Sequence, residues 1–281
     1  MKQYAINNKN ICDFRLSLIE EEKSPSTIDK YLRDIRAFSL YCEEKTLSKQ
    51  TVIQYKQSLI ASGYSIRSAN SMLAALNSFF HCMGWDELKI RYLKLQKQIY
   101  RPQDKELTKE EYKHLCRIAE ESNNMRLSLL IQTLCCTGIR VSELHFITWE
   151  ALQLGEAEVT DKGKSRIVFI VPALRQKLIA YCRSNGIAAG PVFITRSGKM
   201  LERTYIWREM KALCRKAGVN PEKVYPHNLR HLFAREFYSQ THDIAKLADV
   251  LGHSSVETTR IYIMSTGEEH RKMMEKMDLT L

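Results

Sequence analysis

Along the first hundred residues the apolar positions recur at the helical period and nowhere alternate. In residues 27–45 they fall at Ile28, Leu32, Ile35, Phe38 and Leu40/Tyr41, which predicts an amphipathic helix capped by Ser26 or Thr27. An earlier helix is expected over residues 11–21. Ser48 opens one that Gly63 stops, and Ser65 opens another, through Met72, Leu73, Leu76 and Phe79, that Gly84 stops. Four short helices of this kind make a small bundle. Residues 94–105 break the pattern around Pro102 and read as a linker. Thr108 and Glu111 then form a capping box, the start of a helix over residues 108–122, followed by one over residues 126–136 that ends at Gly138 and by another opening near Ser142.

The period changes after residue 157. Val159 and the run Ile167-Val168-Phe169-Ile170-Val171 flank Asp161-Lys162-Gly163-Lys164-Ser165, a β-hairpin with glycine in its turn. Val192-Phe193-Ile194 is expected to add a third short strand. Pro172 suits the first turn of a helix ending near Gly186. Further helices are expected over residues 204–217, 226–239, 244–251, 256–263 and, at the end, 268–277. The fold class is thus mainly α with a small antiparallel β-sheet. It divides into an N-terminal helical bundle (residues 1–98), a linker (99–106) and an α+β domain (107–281).

Charge narrows the class of partner. The chain carries a formal +11, and the excess is spread: residues 1–98 hold 15 Lys and Arg against 10 Asp and Glu, the remainder 28 against 22. A basic balance in both parts fits a polyanion gripped from two sides, most often nucleic acid. Lys94, Lys97, Arg101 and Lys105 are candidate phosphate contacts where the linker crosses DNA. Eight cysteines without a Cys-x-x-Cys pair point to reduced core thiols rather than a metal centre. The N-terminus lacks the apolar core of a signal peptide and no apolar run reaches bilayer length, so a soluble protein of the reducing cytoplasm, without a membrane partner, is expected.

Five residues of types that handle a phosphodiester follow one another in fixed order. Arg140 stands in Thr137-Gly138-Ile139-Arg140-Val141-Ser142-Glu143-Leu144, His227 and Arg230 form a His-x-x-Arg, and His253 follows Leu251-Gly252. Tyr262 then follows Thr258-Thr259-Arg260-Ile261. The planar fork of arginine matches two phosphate oxygens, so Arg140 and Arg230 together can neutralise charge that builds in a transition state. Glu143, three residues after Arg140, is placed to orient it. A phenol ionises near pH 10, so Tyr262 as nucleophile needs a positive field and a base, which the arginines and His227 supply. His253 can donate to a non-bridging oxygen. A leaving 5′-hydroxyl needs an acid, and Lys162 and Lys164 both occupy the hairpin turn. His231 is expected to point away from this group.

Three such boxes in this order, with the lysine hairpin between the first two, resemble the tyrosine recombinase (phage integrase) family in motif over about residues 107–270 and in architecture throughout. The resemblance implies a two-domain C-shaped clamp, an N-terminal helical, SAM-like core-binding domain and a C-terminal catalytic domain. It implies Tyr262 as the nucleophile of a covalent 3′-phosphotyrosyl link, supported by Arg140, Arg230, His227, His253 and Glu143, with Lys162 as the leading acid and Lys164 as the alternative. It also implies double-stranded DNA with short recombination sites as substrate and a homo-tetramer, or a hetero-tetramer with a related recombinase. Strands are exchanged through a Holliday junction without cofactor, ATP or metal. The terminal helix, with Met273, Met274 and Met277, resembles a segment that members dock onto a neighbouring subunit. The hairpin turn is slightly shorter than in chromosome-resolving members, and little chain precedes the bundle for an arm-binding domain. Two other readings stand beside this one. Residues 243–259 have the rhythm of a helix-turn-helix, which fits a non-catalytic sequence-specific DNA-binding regulator, and a type IB topoisomerase-like relaxing enzyme shares the same chemistry.

Overall fold

Side-chain caps decide where the N-terminal helices begin. In the computed structural model, which describes residues 4–43, 45–95, 106–161, 163–195, 197–253, 255–262, 274–275 and 277, these helices are α1 (Asn8–Glu20), α2 (Pro25–Tyr41), α3 (Lys49–Ala61) and α4 (Ile66–Cys82). Asn7, Ser24, Ser48 and Ser65 precede them, and each accepts a hydrogen bond from the main-chain N–H three residues on. Ser48 and Ser65 are the expected caps, whereas α2 starts earlier than its apolar spacing implied, because Ser24-Pro25 supplies a cap and a first-turn proline together. The stripes of the four helices bury Phe14, Leu18, Ile35, Phe38, Val52, Leu73, Leu76, Phe79 and Phe80 in one core.

Two asparagines two turns apart on α4 fix the chain that follows this bundle. The Asn77 amide donates to the Ile90 carbonyl at 2.9 Å and accepts from its N–H at 3.0 Å. Asn70 does the same for Leu93, at 2.9 and 2.8 Å. Each amide thereby imitates the paired bonds of a β-ladder and satisfies main-chain groups that no strand reaches.

By its contacts the chain divides into two compact units, residues 1–97 and 98–281. The second is built round α6 (Met125–Thr137), an apolar helix from which Leu127, Leu129, Leu130, Ile131 and Leu134 are all buried. It packs against α5 (Lys109–Glu121), α8 (Pro172–Ser184) and α10 (Pro226–Thr241). The other elements are α7 (Trp149–Leu154), β1 (Glu156–Asp161), β2 (Lys164–Phe169), α9 (Arg203–Ala217), α11 (Ile244–Leu251) and α12 (Val256–Arg260). β1 and β2 pair antiparallel from Glu156↔Phe169 to Asp161↔Lys164. Ala157, Val159, Val168 and Ile170 face the core, while Ile167 and Phe169 face out. All eight cysteines are free thiols, four of them buried.

Three expectations need correction. Val192-Phe193-Ile194 adds no third strand among the described residues: Pro191 and Ile194 make only isolated bridges, to Thr148 and Met200. The helix expected to open near Ser142 is a 3-10 helix, Val141–Phe146, and the helix before Tyr262 ends at Arg260. α7 is additional; six residues are too few to show a period. The expected terminal helix over residues 268–277 lies outside the described residues except for Met274, Glu275 and Met277.

Gly138 ends α6 in the left-handed region, with φ +65°, and an added Cβ would lie 2.4 Å from the Phe233 ring on α10. A Cβ-bearing residue costs about 1–2 kcal/mol in that conformation, and forcing extra atoms into a packed site about 1–3 kcal/mol more. Gly138→Ala is therefore expected to lower stability by about 3 kcal/mol. The midpoint of urea unfolding should fall at unchanged slope; a loss of only about 1–2 kcal/mol would mean that Phe233 swings aside freely, and an unmoved midpoint would refute both costs.

Candidate active site

Arg230, on the first turns of α10, is 1% exposed, and a guanidinium so buried must be given acceptors. Its Nη1 donates to the Gly138 carbonyl at 2.5 Å and its Nη2 to the Leu251 carbonyl at 2.6 Å. These carbonyls lie at the C-terminal ends of α6 and α11, where the helix dipole and unpaired oxygens favour a cation. Nη2 also meets His253 Nε2 at 3.0 Å, and Nε is buried with no hydrogen-bond partner among the described residues. Burial first, and then the nearby Arg140 guanidinium, bring its pKa down to about 10, with the Tyr262 phenol and Glu143 acting the other way. Arg230 remains a cation at neutral pH.

Arg140 leaves the α6 cap in an extended conformation and precedes the 3-10 helix. Its Nη1 donates to Glu143 Oε1 at 2.8 Å, and its main-chain N–H to Oε2 at 2.8 Å. Glu143 also accepts from Arg166 on β2, Nη1 to Oε1 at 3.1 Å and Nη2 to Oε2 at 2.7 Å. Burial would raise the Glu143 pKa, but the bonds from Arg166 and Arg140 outweigh it and hold the carboxyl at about 2.

His253 follows Gly252, the left-handed cap of α11 at φ +67°. An arginine nitrogen only donates, so His253 Nε2 must be the acceptor from Arg230 and the ring proton sits on Nδ1, which donates to Thr259 Oγ1 at 2.9 Å. Burial, and after it the charges of Arg230, Arg140, Arg166 and His227, push this imidazole down from 6.5 to about 4, so it is neutral at neutral pH. Thr259 is itself fully buried.

Tyr262 comes two residues after α12 and is 5% exposed, packed on Ala234, Leu247 and Leu251. Its hydroxyl lies 3.4 Å from His227 Nε2. Three imidazoles surround its ring, with centroids at 4.1 Å for His231 and 5.3 Å for both His227 and His253. His231 corrects an expectation: residues i and i+4 share a helix face as i and i+3 do, so it lies beside His227, 5.0 Å away, instead of pointing elsewhere.

Tyr262, Arg140, Arg230, His227, His253 and Glu143 thus come together in the second unit. Arg166 and Thr259 join them without having been singled out, and His231 joins them against expectation. Lys162 lies outside the described residues, and of Lys164 only the backbone, at the start of β2, is described. Lys94 is exposed at the end of the first unit; Lys97, Arg101 and Lys105 also lie outside the described residues. Among the described residues no group of three or more His, Cys, Asp or Glu side chains is placed to hold a metal ion, and no helix is long and apolar enough to cross a membrane.

Residues 105–269 match the phage integrase family, and residues 11–86 the N-terminal SAM-like domain of phage integrases. The tyrosine recombinase XerA of Pyrococcus furiosus is 30% identical over 288 residues, spanning 99% of this chain and 97% of that protein. XerA of Thermococcus kodakarensis is 32% identical over 280 residues, spanning 97% and 96%. Among solved structures, that of a lambda integrase tetramer bound to a Holliday junction shares the fold, with a TM-score of 0.73 at 18% identity over 92% of this chain and 77% of that one. By the match over most of its second unit and the full-length likeness to these recombinases, the chain belongs to the phage integrase family, that of the tyrosine recombinases.

Proposed function

We propose that this site-specific recombinase cuts and rejoins DNA by transesterification at Tyr262. The phenolic oxygen attacks the scissile phosphorus while the bond to the 5′ oxygen breaks, leaving a 3′-phosphotyrosyl link and a free 5′-hydroxyl. A 5′-hydroxyl from the second site attacks that link in turn. One ester bond is made for each one broken, so no external energy is needed. The observation that carries this reading is the Tyr262 hydroxyl at 3.4 Å from His227 Nε2, in one cluster with a buried arginine fork. His227 takes the phenolic proton. Arg140 and Arg230 clamp the non-bridging oxygens, with Glu143 orienting Arg140. The 5′ oxygen takes its proton from the hairpin, from Lys162 or alternatively Lys164. Strands are exchanged in pairs through a Holliday junction between two DNA sites held by four subunits, and the lambda integrase structure on such a junction supports this by analogy. Residues 1–98 and 107–281 act as the core-binding and catalytic domains, with the basic residues at and after the end of the first, Lys94, Lys97, Arg101 and Lys105, on DNA phosphates.

For His253 to donate to a phosphate oxygen, its ring proton must sit on Nε2 instead of Nδ1. Thr259 permits this, because its hydroxyl can turn from accepting to donating. The helix-turn-helix reading loses support from the five-residue length of α12 and from the arrival of His253 and Tyr262 in the arginine cluster.

Tyr262→Phe is expected to keep DNA binding and to form no covalent adduct on a nicked duplex; an adduct from that variant would refute the assignment. Arg140→Ala should slow adduct formation by about 100-fold with far less effect on affinity. Arg230→Ala should add a loss of stability, since it strands two helix-terminal carbonyls. Equal losses of rate and affinity at Arg140 would make it a backbone grip.

The unfolded chain protonates His253 near pH 6.5 and the folded chain only near pH 4. Stability present above pH 6.5 is therefore lost as pH falls to 4. The corresponding loss from Glu143 lies lower, as pH falls from 4.5 to 2. Thermal unfolding of His253→Gln should show a flatter fall between pH 6.5 and 4 than the wild type. Parallel curves would mean that His253 is already charged in the folded protein.

A further inference from the structure

Arg166 has no part in the mechanism above, yet it lies at the centre of the site. We infer that Arg166 is a positioning residue for strand cleavage: by occupying half of the Glu143 carboxylate it limits that carboxylate to one nitrogen of the Arg140 guanidinium and so sets how Arg140 meets the scissile phosphate, and its stem seats the Gly252–His253 turn on β2. The inference rests on the reading of Arg140 and Tyr262 given above.

A carboxylate offers about four lone-pair directions, and Glu143 uses them on Arg140 Nη1, the Arg140 N–H, Arg166 Nη1 and Arg166 Nη2. Glu143 therefore meets the Arg140 side chain through one nitrogen, while Arg166 takes the two-pronged bond. Without Arg166, the carboxylate is free to close on Arg140 fork to fork, the strongest pairing the two groups have, and Arg140 is drawn from the phosphate. Charge acts in the same direction. Three guanidiniums, of Arg140, Arg166 and Arg230, share one carboxylate, so the site keeps the positive excess that a phosphodiester needs; removing one halves that excess. The second attachment is steric. A Cβ on Gly252 would lie 2.6 Å from Arg166 Cδ, so the main chain just before His253 rests on the arginine stem. The Arg166 side chain is only 13% exposed and both its Nη atoms are engaged on Glu143, so it acts through Arg140 and His253 and not on DNA.

The test is single-turnover formation of the covalent adduct on a nicked duplex carrying the recombination site, with either a normal phosphate or an uncharged methylphosphonate at the scissile position. Arg166→Met should slow the reaction on the phosphate by about 100-fold with affinity nearly unchanged, and Arg166→Lys, which keeps the charge and loses the fork, by less. On the methylphosphonate, where there is less charge to balance, the gap between wild type and either variant should shrink by at least about tenfold. Adding Glu143→Gln to Arg166→Met should recover rate, because a neutral amide no longer draws Arg140 away. If Arg166→Met does not fold, Arg166→Lys carries the comparison. The same gap on both substrates overturns the inference, as does a double variant slower than Arg166→Met. Absence of any adduct from the wild type overturns the Tyr262 reading as well.

Discussion

The buried guanidinium of Arg230 constrains everything around it. A cation removed from water must find acceptors in fixed places, and Arg230 finds them in the terminal carbonyl groups of two helices, Gly138 at the end of α6 and Leu251 at the end of α11. Those helices must then stop where they do and lie where the fork reaches. Each stops at a glycine in the left-handed region, and at each glycine the close approach of a neighbour, Phe233 or Arg166, leaves no room for a Cβ. Arg140, two residues after Gly138, and His253, directly after Gly252, inherit their positions from this arrangement. One buried charge thus sets two turns, and the turns deliver a second arginine and an imidazole to the same point.

Tyr262 is positioned by different means. It sits on an apolar seat of Ala234, Leu247 and Leu251, and imidazoles cover the rest of its ring. Packing of this kind sets the plane of the ring, while the His227 contact sets the direction of the hydroxyl. Tyr262 is therefore held by the fold of the second unit, on α10, α11 and α12 together.

Much of this was legible in the sequence, and the exceptions have physical reasons. Helix starts could be read from Ser48, Ser65 and the Thr108–Glu111 box, because a cap is a local hydrogen bond between residues three apart. The strand expected at Val192-Phe193-Ile194 is apolar for another reason: Val192 and Phe193 are buried in the core of the second unit, and the Ile194 carbonyl accepts from Arg126. Arg166 was hidden because residues 167–171 are all apolar, which conceals the two-residue alternation of the strand. Parity would have revealed it. Val168 and Ile170 point inward, so Arg166 does too, opposite Val159, and a charged residue at an inward position needs a partner. Thr259 gives no such signal, since a buried threonine serves a distant histidine as readily as its own helix.

The electrostatics of the site run against the protein's own stability. Arg230 loses proton affinity to burial and to Arg140, and His253 to burial and to three guanidiniums. Like charges have been brought together around one carboxylate, Glu143, which can offset only one of them. A phosphodiester between the forks reverses the sign of those interactions: repulsion among guanidiniums becomes shared attraction to an anion. A site built in this way holds its binding energy in reserve, as repulsion already present in the free protein, and releases it most fully where negative charge is greatest. In the transesterification proposed above that is the transition state, so a cluster that costs the protein stability favours this proposed step over simple retention of DNA.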